Sequence, residues 1–166
     1  LRVAHELNLK NPPDNAGWGS FGMQRGHGIG QLDVPHWSPA SFQDVLDAIG
    51  SLYAEEHEFK TLVIDSVTAL ERLFVAEVLD QDPKAKSINQ ALGGYGAGVA
   101  AVAAMHARVR KGAGLANEKR GMHVVFVAHA DVETMRLPDA DDYMRYSLRL
   151  PPKSMPPYVD DVDVVG

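Results

Sequence analysis

Two short apolar runs, each ending on a polar residue, constrain this chain more than any other feature. "FKTLVIDSVTAL" (residues 59–70) runs through Leu62, Val63 and Ile64 into Asp65 and Ser66, and "MHVVFVA" (122–128) runs into His129. Apolar stretches of this length, bounded by polar positions, predict buried strands at 61–66 and 122–128. The chain between and before them keeps another period. Ser41 is placed to cap a helix in which Phe42, Val45, Leu46, Ile49 and Leu52 share one face. From residue 69 to 79 Leu70, Leu73, Phe74 and Val78 form a second helical stripe, and "VAAVAAMHARVR" (99–110) predicts a small-residue helix. Strands alternating with helices indicate an α/β fold with a mostly parallel sheet covered on both faces. In such sheets ligands bind at the carboxyl ends of the strands, which puts Asp65 and His129 on one rim.

The remaining segments are less regular. Residues 11–40 are rich in Gly and Pro without a sustained period and predict mostly loop, with a short strand at 31–34. "RKGAGLANEKRG" (110–121) predicts a basic loop, "DYMRYSLRL" (142–150) a strand, and "YVDDVDVVG" (158–166) the start of another. The expectation is one domain over residues 1–166, irregular over 1–40 and with its core over 41–166.

Composition narrows the function classes. With 166 residues and 45% hydrophobic content the chain can bury a substantial core. It has no cysteine, which excludes disulfides and thiolate metal sites. A net charge of −6 disfavours binding nucleic acid over the whole surface, though not through a local patch. No apolar run approaches the roughly 20 residues needed to span a bilayer, and the N-terminus lacks a signal-peptide core. The expectation is a soluble, cytoplasmic protein with no membrane partner.

The candidate site begins with Asp65. A carboxylate at the end of a buried parallel strand, followed by the Ser66 hydroxyl, suits a Walker B role, holding magnesium against nucleotide phosphates. The same acid is equally placed to cap the following helix. His129 sits where a polar group senses a γ-phosphate or positions water, or where a rim histidine bonds backbone. His129, Asp131 and Glu133 fall at period 2 and form a possible metal cluster, set against an ordinary solvated strand end. Arg108, Arg110, Lys111, Lys119 and Arg120 make one cationic stretch. Tyr143, Arg145, Tyr146 and Arg149 interleave aromatics with arginines, the chemistry that tracks single-stranded nucleic acid. Charge runs more often serve as solvated faces.

Taken in order, "GQLDVP" followed by an aromatic, "SFQDVLDAI", "EHEFKTLVIDSVTALE", "GGYGAG", "GMHVVFVAHA" and "PDADDYMRYSLRLPPK" leading to "VDDVDVV" resemble the phage-encoded RecA-like ATPases, some of which act with single-strand annealing recombination systems. The resemblance covers roughly residues 28–166. It implies a three-layer RecA-like P-loop NTPase core, ATP and Mg2+ as cofactors, a homo-oligomer with the active site between subunits, and a host-cell cytoplasmic role in DNA recombination. It makes Asp65 the Walker B acid and metal ligand, Ser66 its cofactor-binding neighbour and His129 the catalytic sensor. The chain departs from the family in lacking G-x-x-x-x-G-K-[ST], whose backbone amides and lysine cradle phosphates. An N-terminally incomplete core is therefore expected. A non-catalytic DNA-binding or assembly module on the same fold is the alternative.

Overall fold

The computed structural model describes the backbone of residues 19–22, 36–137, 140–160 and 162–163, and the side chains of 36–135, 142–160 and 162–163. The elements in chain order are β1 (Gly19–Gly22), β2 (His36–Trp37), α1 (Phe42–Ala54), β3 (Thr61–Asp65), α2 (Val67–Gln81), α3 (Ala97–Arg120), β4 (His123–Val127), β5 (Ala130–Leu137), β6 (Ala140–Leu148) and a final turn of helix, α4 (Pro156–Val159). Short 3-10 turns at Ala91–Gly93 and Pro152–Ser154 precede α3 and α4. β1 to β4 form one parallel sheet in the order β2-β1-β3-β4, and β5 and β6 form a separate antiparallel pair.

The helix expectations are met where periodicity was strong. Ser41 caps α1 through a capping box, its hydroxyl accepting from Asp44 N–H while the Asp44 carboxylate accepts from Ser41 N–H. Phe42, Val45, Ala48, Ile49 and Leu52 are buried. On α2 the buried residues include Leu70, Phe74 and Val78, and the Glu77 carboxylate accepts the Phe42 N–H at 2.8 Å, tying α2 to the start of α1.

Three local expectations are corrected. Residues 110–120 are not a loop: α3 runs unbroken from Ala97 to Arg120 and ends at Gly121, whose φ of 63° is the left-handed conformation that closes a helix. Its basic residues are helix formers, and Ala113 and Ala116 are buried against the core, so packing carries the helix through Gly112 and Gly114. The loop expected over 11–40 contains β1, which lies inside the sheet between β2 and β3. "GSFG" has no strand periodicity, and pairing on both of its edges supplies the strand. Tyr158 and Val159 form a helical turn rather than a strand. The strand expected at 31–34 lies outside the described residues.

The sheet winds in two directions. The steps from β2 to β3 through α1, and from β3 to β4 through α2 and α3, go the same way across it, and right-handed crossovers put their helices on one face. Leu62 and Ile64 point there and are buried. The opposite face, with Val63, Val125 and Val127, is left open by the described residues, Val125 and Val127 being 44% and 37% exposed. The step from β1 to β2 goes the other way and spans residues outside those described. Coverage of both faces was expected; the described residues cover one.

Candidate functional site

Because β1, β3 and β4 are parallel, their carboxyl ends form one edge. In register, Gly22 pairs with Asp65 and Asp65 with Val127, so these three residues stand in one row. The chain order reverses between β1 and β3, the kind of switch point at which open α/β sheets bind ligands. Asp65 is at that crevice.

The cap of α2 separates two roles that the sequence left open. Ser66, not Asp65, is the N-cap: the Ser66 hydroxyl accepts from Ala69 N–H at 3.2 Å, and Ser66 is buried. The Asp65–Ser66 peptide bond is cis. Asp65 is partly buried, and among the described residues no donor reaches its carboxylate. A carboxylate relieved of capping duty, at the end of a strand, offers the hard oxygen that magnesium takes, directly or through water. The donor chemistry fits the metal. Cradling phosphates takes backbone N–H groups and a lysine, and the sequence contains no Gly-Lys-Ser/Thr.

His129 lies two residues beyond Val127, on the same edge. Its backbone N–H donates to Thr68 Oγ1 at 3.0 Å, and its carbonyl accepts the Arg149 N–H at 2.8 Å. The structure thus brings Asp65, Ser66 and His129 to one rim, joined through the first turn of α2. The small cavity beside Asp65 is lined by Pro39, Val45, Ile49, Ile64, Ser66 and Leu70. A much larger groove, about 800 Å3, runs between β4 and α3 and is lined by neither Asp65 nor His129.

The cationic candidates separate by environment. Arg108 stacks over the Phe42 ring at 4.8 Å and Lys119 over Tyr53 at 5.2 Å. Arg120 donates to the carbonyls of Tyr53, in the last turn of α1, and of Glu55, its C-cap. These three pack α3 against α1. Lys111 is exposed, and Arg110 and Lys111 both border an open hollow beside Pro156, Pro157 and Asp160. On the β5–β6 hairpin Arg145 pairs with Glu133 at 3.2 Å and Arg149 approaches Asp131 at 3.7 Å, while Tyr143 and Tyr146 are exposed. Among the described residues no group of His, Asp and Glu side chains gathers as a metal-ligand set, and Asp131 and Glu133 are occupied by arginines. Also among the described residues, no helix is long and apolar enough to cross a membrane.

Sequence reasoning missed one cluster entirely. His106 on α3 is fully buried, with Nδ1 2.7 Å from the Tyr158 hydroxyl and Nε2 2.8 Å from the Glu71 carboxylate. Its partners are 52 and 35 residues away, and no local pattern connects them.

Comparison with known proteins adds a family. No match appears among curated proteins or among solved structures. Residues 21–166, nearly the whole chain, match the sequence pattern of a family described as an AAA domain. A mixed helix and strand chain with a parallel sheet fits the α/β fold of such ATPase-type, nucleotide-binding domains. The chain belongs to the AAA-domain family of P-loop ATPase-type domains.

Proposed function

We propose that this chain binds ATP with magnesium at the Asp65 rim, as a RecA-like domain of phage type serving DNA recombination or single-strand annealing. The observation that carries the proposal is the pairing of two facts at one strand end: Ser66 caps α2, and Asp65, next to it, is left without a described donor. Asp65 would hold the metal, Ser66 would shape the turn that presents it, and His129 would face the γ-phosphate as the catalytic sensor. When bound, magnesium supplies positive charge that bridges and neutralises phosphate oxygens. The proposal is for binding. Turnover needs an amide cradle to align the phosphate, and these 166 residues contain no Gly-Lys-Ser/Thr to build one. A three-layer core and homo-oligomerisation belong to the same proposal, and the recombination setting rests on the motif order from "GQLDVP" to "VDDVDVV".

Titration calorimetry tests it. The protein should bind ATP in the presence of magnesium and lose roughly tenfold or more in affinity on Asp65→Ala. Equal affinity in the variant would remove Asp65 from the site, and heat-silent titration of the parent protein would remove the site itself.

A second reading is favoured by the exposed Tyr143 and Tyr146 on the hairpin: a non-catalytic module that stacks single-stranded DNA on those rings. The neighbouring arginines are already paired with carboxylates, so stacking rather than phosphate attraction would carry the affinity. Oligonucleotide binding without nucleotide binding would favour it.

A further inference from the structure

β-Ladder pairing positions Asp65 but stops short of His129. The β3–β4 register ends at Asp65 and Val127, and the chain beyond Val127 leaves the sheet toward the hairpin. What places His129 is Thr68. This residue, in the first turn of α2, is only 5% exposed, and its Oγ1 accepts the His129 N–H across 61 residues of sequence. Threonines inside helices commonly spend the hydroxyl on the carbonyl one turn back. Thr68 is in the first turn, and its oxygen is turned to another element instead. On the far side the His129 carbonyl takes the Arg149 N–H, so the residue is gripped through both backbone groups.

We infer that Thr68 is a positioning residue of the nucleotide site, holding His129 in place on the rim that carries Asp65. The inference rests on the nucleotide reading given above and adds to it the residue that builds the sensor's place. Three variables are under separate control: Asp65 by the ladder, the turn by the Ser66 cap, and His129 by Thr68. A valine at 68 keeps the shape and removes the acceptor, leaving the His129 N–H without its partner. A serine keeps the acceptor and removes only the methyl group.

The test compares the parent protein with Thr68→Val and Thr68→Ser, using NMR amide exchange without nucleotide and calorimetry with magnesium and ATP. In Thr68→Val, exchange at the His129 amide should accelerate about tenfold while amides past the first turn of α2 keep their rates. Affinity for ATP with magnesium should fall roughly three- to tenfold, and Thr68→Ser should restore both readouts. Unchanged exchange at His129 in the valine variant overturns the inference. Equal losses in valine and serine variants also overturn it, because the methyl and not the hydroxyl would then matter. If the parent binds no ATP, the proposed function falls, while the exchange rates still decide whether Thr68 holds His129.

Discussion

His106 uses both ring nitrogens while wholly buried. The Glu71 carboxylate accepts from Nε2–H, and when the ring is neutral Nδ1 accepts from the Tyr158 hydroxyl. Phe74 and Tyr158 meet the imidazole edge to face at 4.9 and 5.5 Å. Tyr158→Phe keeps the ring contacts and leaves Nδ1 without a donor, and should destabilise the fold by about 1–3 kcal/mol in chemical denaturation. Burial, reinforced by the Glu71 carboxylate and opposed by Arg110, pushes the Tyr158 hydroxyl well above the usual tyrosine range. With the folded pKa raised, the contribution is fully present below the unfolded value of about 10. It is lost as pH rises above that value, because the unfolded chain releases the proton first. Stability should therefore fall above about pH 10 in the parent protein and less steeply in Tyr158→Phe, read from urea midpoints across alkaline buffers. Nothing in the local sequence announced this cluster, whereas Asp65 and His129 were legible as the polar ends of apolar runs.

At the scale of elements, α3 holds a case in which propensity and packing disagree. Gly98 sits in its first turn, and alanine there would raise helix propensity by about 1 kcal/mol. A Cβ at that position runs into the Ile88 carbonyl and comes within 3.0 Å of the Ala91 Cβ. The obstacle is backbone, which cannot swing aside as a flexible side chain does, so packing wins. Gly98→Ala should destabilise the protein, by about 1–3 kcal/mol, against the sign that helix propensity alone predicts. A thermal melt decides between them. The same helix explains why residues 110–120 read as a loop: two glycines and a string of cations weaken the helical signal. Buried alanines and the cation–ring contacts of Arg108 and Lys119 restore it from outside the segment.

Across the whole molecule, the described residues divide into a packed body and a two-stranded ribbon. The core gathers side chains from α1, β3, α2, α3 and the segment after β6, with Leu150 and Tyr158 joining from the last stretch of chain. The β5–β6 pair instead exposes Val132, Met144 and Tyr146. Tyr146, 83% exposed, should be replaceable by serine with a stability change within about 0.5 kcal/mol. If the ribbon stacks single-stranded DNA, the same change should weaken oligonucleotide binding by about 1–3 kcal/mol, measured by fluorescence anisotropy at fixed salt. Local pattern by itself determined the strands ending at Asp65 and near His129, and the helices α1 and α2. Runs of apolar residues with one period bury themselves in only one way, and the carboxyl ends of parallel strands then share an edge. Only the tertiary structure decided that "GSFG" is a central strand, that α3 continues to Arg120, that Ser66 rather than Asp65 caps α2, and that His106 finds Glu71 and Tyr158. Each of the first, second and fourth depends on partners remote in sequence, and the cap depends on which of two adjacent oxygens the backbone turns toward the helix.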